Sequence, residues 1–134
     1  MRRAAWLAPL LAAAAVGGCG GEAGDLMAIE ITGGPARERP LDIVVASDGR
    51  GSCNEGDSEM LPSDLLIEAR ELERELGDLA EEGANYSSPT ERRRAYVVRI
   101  KAGTVRWTEG EPGLPEELPR TQLLALRLDR LLCR

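Results

Sequence analysis

The chain has 134 residues, 43% of them hydrophobic and 30% charged, with 17 basic residues against 23 acidic ones and no histidine. Without histidine there is no Ser-His-Asp triad, no Cys-His pair and no histidine-ligated metal centre. The formal charge of −6 repels phosphate backbones, so no nucleic-acid partner is expected.

The first nineteen residues fall into three zones. Arg2 and Arg3 give a basic start, and Ala4 to Val16 follow as an uncharged Ala/Leu-rich run. That run is shorter than the roughly twenty residues needed to cross a hydrocarbon core. A short apolar run behind a basic start reads as an export signal. It closes on Val16-Gly17-Gly18-Cys19, which resembles the bacterial lipobox: a branched apolar residue, two small residues and a cysteine. The resemblance implies cleavage after Gly18, lipid on the Cys19 sulfur and a protein held at the cell membrane or envelope. An ordinary export signal with an incidental cysteine is the alternative. Residues 1–18 are then the signal peptide, 19–25 the lipidated cysteine and its tether, and 26–134 a single domain. Removing Arg2 and Arg3 leaves 15 basic residues against 23 acidic ones, a formal charge of −8. Anionic head groups would repel such a domain, which leaves the acyl chains as the main membrane contact.

Leu26 to Thr32 alternates Met27, Ile29 and Ile31 with Ala28, Glu30 and Thr32, the period of a half-buried strand. Gly33-Gly34-Pro35 ends it. Leu41 to Ser47 alternates again, and the two strands are expected to form an antiparallel hairpin. Asp48 to Met60 is polar and glycine-rich. Arg50 falls where a calcium loop needs a ligand, so a solvated loop tied down by Cys53 is expected.

Pro62 and Ser63 open a helix whose apolar stripe, Leu65, Ala69, Leu72, Leu76 and Leu79, runs to about Ala80. Its remaining positions carry mixed charges suited to a solvated, mutually paired face. Glu82 to Pro89 reads as a loop, and Arg92-Arg93-Arg94 as loop solvation and local charge pairing. Ala95 to Lys101 and Thr104 to Glu109 read as strands joined at Ala102-Gly103, a turn that would pair Ile100 with Val105 and Val98 with Trp107. After a helical turn at Leu114 to Leu118, Pro119 restarts a helix to about Leu132. Its inward face is Leu118, Leu124, Ala125, Leu128, Leu131 and Leu132, while Leu123 and Leu126 point nearly opposite, beside Arg127 and Arg130. Those four residues form either a partner-facing patch or ordinary surface leucines with neighbouring arginines.

With Cys19 assigned to lipid, Cys53 and Cys133 remain as an even pair in an oxidising compartment. A disulfide is expected, and two separately buried thiols are the alternative. The order strand, strand, helix, strand, strand, helix gives an α+β fold. A four-stranded antiparallel sheet is expected, with two helices packed on one face.

Several segments together resemble emfourin-like proteins, small inhibitors of thermolysin-like metalloproteases. They are the Ile29–Gly34 strand running into Gly-Gly, the Leu61-Pro62 helix start with its leucine stripe, Tyr96-Val97-Val98-Arg99-Ile100 with its hairpin, and Leu114-Pro115 before the last helix. The resemblance implies the same fold and a metalloprotease as the partner, and no inhibitory residue carries over. The residues alone suggest a non-enzymatic, membrane-anchored module that binds another protein, with no catalytic residue, cofactor or metal. A structural lipoprotein of envelope assembly is the alternative, and an enzyme built on Asp or Glu is a third reading.

Overall fold

Period-two alternation makes β1 (Asp25–Gly33) the centre of the sheet: Met27, Ile29 and Ile31 are buried on one face, while Ala28, Glu30 and Thr32 stay half-exposed on the other. The computed structural model describes residues 24–35 and 39–134, so the expected signal peptide and Cys19 lie outside the described residues. On one side β1 pairs antiparallel with β2 (Leu41–Ala46), setting Ile29 opposite Ile43 and Met27 opposite Val45. Between β2 and the helix that follows come β3 (Arg50–Cys53) and β4 (Glu59–Met60). The chain then forms α1 (Ser63–Glu75), α2 (Gly77–Glu81) and β5 (Asn85–Tyr86). It ends with β6 (Arg94–Ile100), β7 (Gly103–Thr108) and α3 (Glu117–Leu132).

The strands form one sheet in the order β4-β3-β2-β1-β6-β7-β5, and β5 runs parallel to β7. The four-stranded antiparallel sheet with two helices is therefore wrong: among the described residues the architecture is a seven-stranded mixed sheet with three helices. The three extra strands lie in segments read as loops, and none has an apolar alternation to announce it. Backbone geometry and tertiary packing hold β3 in place. A methyl group on Gly51 would come within 2.9 Å of side chains on both Leu132 and Leu61. Only a residue without a side chain lets this strand slide beneath them. The two-residue strands β4 and β5 pair only at the sheet margins.

The β6–β7 hairpin also differs from expectation. Tyr96 faces Trp107, Val98 faces Val105 and Ile100 faces Gly103, two residues away from the expected register. A shift of two keeps every side chain on its face, so hydrophobic alternation cannot choose between the registers. The observed register stacks Tyr96 on Trp107, with ring centroids 5.1 Å apart and planes 8° from parallel. It also places the turn at Lys101-Ala102, neither of which takes a positive φ. The awkward φ of +150° falls on Gly103.

Helices α1 and α2 continue the expected single helix, with Leu65, Ala69, Leu72, Leu76 and Ala80 buried against the sheet. The break falls at Leu76, whose ψ of −9° opens the helix just before Gly77, a poor helix former. Hydrogen bonds still cross it, from the Leu76 amide to the Leu72 carbonyl and from the Ala80 amide to the Leu76 carbonyl. Pro119 falls in the first turn of α3, where its missing N–H costs little. Helix α3 lies antiparallel to α1 and buries Leu118, Thr121, Leu124, Ala125 and Leu128. Arg127 donates to Asp64 at 2.6 Å and Glu68 at 2.9 Å, and Arg120 donates to Glu75 at 2.5 Å. The Trp107 indole N–H donates to Gln122 Oε1 at 2.7 Å, which fixes α3 to β7. Cys53 and Cys133 form the disulfide, with Cα atoms 5.3 Å apart, and so join β3 to the end of α3.

Candidate functional site

The pairing registers give the sheet two unlike ends. At one end lie Gly24, the tight turns at 47–49 and 101–102, and the start of β1. At the other lie the end of β1 with Gly34 and Pro35, the start of β2, and the connections after β3, β5 and β7, which are 54–58, 87–93 and 109–116. Loops carried on a rigid sheet are the usual place for recognition residues, and this loop end carries a linked set of polar contacts.

Its organisation starts at Gly33 and Gly34, which take φ of +74° and +90°. A methyl group on Gly33 would sit 2.7 Å from the Arg93 carbonyl oxygen, so glycine lets the segment before β6 press against the end of β1. The Gly34 amide donates to the Glu91 carbonyl at 3.1 Å. From this strap, Arg93 reaches across to the connection after β7. It donates to the Glu109 carbonyl at 3.1 Å and to Glu111 Oε1 at 2.7 Å, while the Arg94 amide donates to Glu109 Oε1 at 3.0 Å. The Ser88 hydroxyl also donates to Glu111 Oε1, and the Ser88 amide donates to Thr108 Oγ1 at 2.9 Å. The Ser88 hydrogen bond and then the Arg93 hydrogen bond hold the Glu111 carboxyl below its ordinary pKa; desolvation opposes them, and the Arg93 charge adds a smaller lowering. A carboxylate kept ionised in this way serves as a fixed acceptor that ties two loops together.

Around this clamp the exposed side chains are Ser87, Pro89, Glu91, Arg92, Pro112 and Glu116, with the turn 54–58 exposed throughout. In that turn Asn54 and Glu55 take φ of +50° and +59°. The Asn54 Oδ1 accepts the Asp42 amide at 2.9 Å, and the Gly56 amide donates to the Cys53 carbonyl at 2.9 Å. The turn is held from both sides, and Glu55 faces outward in a conformation that costs a side-chain-bearing residue about 1–2 kcal/mol.

The residues singled out on α3 divide. Leu123 is 60% exposed, whereas Leu126 is half-buried. Arg127 is engaged with Asp64 and Glu68 on α1, and with Arg130 it lines a shallow recess beside Pro62, Leu65 and Leu131. Arg127 therefore joins two helices of the same chain, and the outward apolar surface reduces to Leu123 with the exposed part of Leu126.

Sequence reasoning did not reach the clamp of Ser88, Arg93, Glu109 and Glu111. A signal was present, since an Arg run precedes one strand of a hairpin and two glutamates follow the other. Antiparallel pairing brings those flanks to one end. Among the described residues no group of three or more His, Cys, Asp or Glu side chains could hold a metal ion. No helix of the described residues is long and apolar enough to cross a membrane. No protein-family model matches the chain, and no curated protein matches it.

Proposed function

We propose that the chain is an exported protein held at a membrane by lipid on Cys19, and that it serves there as a protein-binding module presenting its loop end. The observation that supports this best is the polarity of the fold. The backbone enters the domain at Gly24, whereas the clamped loops lie at the opposite end of the strands. A module anchored at its entry end holds those loops away from the bilayer, towards a partner. The disulfide and the Arg93–Glu111 clamp fix the loops before binding, which lowers the ordering cost of association. The emfourin-like resemblance makes a thermolysin-like metalloprotease the first partner to try, with inhibition as the consequence of binding.

One observation favours a second surface on the same module: Leu123, exposed on the outside of α3. Site-specific photo-crosslinking in the native envelope separates the two. A crosslinking residue at Arg92 or Pro112 is expected to capture one discrete protein, and the same residue at Leu123 is expected to capture none. Adducts from Leu123 alone would move the binding surface to α3. Adducts from no position would contradict the binding module.

A further inference from the structure

We infer that the entry end of the domain is a lipid-facing surface, on which Leu26, Ile67 and Met60 seat against the head-group layer of the membrane that carries the Cys19 anchor. The inference rests on the proposed anchoring at Cys19 and adds to it a surface and an orientation.

Two of the three large hydrophobic side chains most exposed among the described residues lie here, Met60 at 62% and Ile67 at 55%. They belong to separate elements, β4 and α1, which meet at the turn 47–49. A methyl group on Gly49 would come within 3.1 Å of Leu66 Cδ2 and 3.3 Å of Met60 Sδ, so both side chains lie over that turn. Ile67 follows Leu66 on α1 and shares a surface recess with Leu26, Arg70, Glu71, Glu73 and Arg74. The same turn holds the point where the backbone enters. The Ser47 amide and hydroxyl both donate to the Gly24 carbonyl, at 3.0 and 2.5 Å, and Arg70 donates to the Ser47 carbonyl at 3.4 Å. Apolar patch and entry point are thus one surface.

Chain length then fixes what lies opposite it. Five peptide steps separate Cys19 from Gly24, a reach of at most about 18 Å at ~3.3–3.6 Å per residue. An acylated Cys19 sulfur sits at the bilayer surface, so the Gly24 end of the domain cannot leave the neighbourhood of the head groups. The loop end can turn away freely. The patch also suits the location chemically. Within the recess two arginines and two glutamates cancel, which lowers the repulsion that the acidic domain as a whole meets at anionic lipid. Arginine stems can lie along the apolar side chains while their guanidinium groups reach lipid phosphates. Anchoring by acyl chains and a shallow apolar contact reinforce one another, since the second contact forms at the high local concentration set by the first.

The test uses the full lipidated protein in phosphatidylcholine vesicles containing a head-group nitroxide phosphatidylcholine. A fluorophore is placed by Ile67→Cys or Met60→Cys at the entry end and by Glu91→Cys at the loop end, all exposed positions whose replacement leaves the core intact. Flotation with the vesicles and the acyl mass on Cys19 are read on the same samples. The expected result is flotation in every case, with quenching at positions 67 and 60 several-fold stronger than at 91. Flotation with equal quenching at all three positions would mean that the domain tumbles on its tether, and would overturn the seating while leaving the anchor intact. Loss of flotation and of acyl mass would remove the anchor, and the lipid-facing surface with it.

Discussion

At Gly103 a single absent side chain decides whether the hairpin can dock on the helices. A methyl group there would lie 2.1 Å from the Ala80 carbonyl oxygen, backbone that cannot swing aside. Gly103→Ala is expected to lower stability by more than about 2 kcal/mol, read as a fall in Tm, because the hairpin must retreat from the end of α2. Glu55 behaves oppositely. Its left-handed backbone is strained and its side chain is exposed, so Glu55→Gly should raise stability by roughly 0.5–1 kcal/mol in a denaturant titration. Glu111 gives a pH signature. Its folded-state pKa lies below the ordinary value because of Ser88 and Arg93, so its contribution is fully present above the unfolded carboxylate pKa. That contribution is lost as pH falls through the folded value. Comparing wild type with Glu111→Gln across the acid range should show a smaller loss of stability on acidification in the variant, and parallel profiles would contradict the clamp.

Among the elements, those with a strong apolar period were legible and the others were not. Met27, Ile29 and Ile31 announced β1, and the leucine stripe announced α1 with its continuation, because core burial demands the same periodicity that the sequence displays. Strand β3 was hidden because Arg50, Gly51 and Ser52 offer no hydrophobic alternation. It exists because Gly51 fits beneath Leu61 and Leu132 and Cys53 is tied to Cys133. The hairpin register was hidden for a different reason, since two registers bury the same faces and the Tyr96–Trp107 stack selects one. Joining Cys53 to Cys133 closes a long loop, so Cys53→Ala with Cys133→Ala should lower stability by roughly 4 kcal/mol. Chemical unfolding at fixed pH gives that difference directly. On α3, the double variant Leu123→Ser, Leu126→Ser should cost no more than about 1.5 kcal/mol, because Leu123 is exposed and Leu126 only half-buried. A loss near the 2–5 kcal/mol of a core leucine truncation would show that something in the folded chain covers that face.

For the whole molecule, the arrangement of ends carries the functional account. The charges of the loop clamp were visible in the sequence but its pairing was not, because the partners lie 15 to 23 residues apart and meet only after β6 and β7 pair. The proposed N-terminal address rests on the local pattern of Arg2-Arg3, the apolar run and Val16-Gly17-Gly18-Cys19 alone, all of it outside the described residues. In the proposed arrangement, lipid at Cys19 would keep the entry end near the membrane, because the intervening segment is too short to let that end wander. The proposed placement at a membrane depends on lipid at residue 19. The direct measurement is metabolic labelling with palmitate, together with membrane fractionation, of the native chain and Cys19→Ala. Label and membrane retention are expected for the native chain, and loss of both in the variant. A native chain without label, or a Cys19→Ala chain that still labels and stays with the membrane, would contradict that placement.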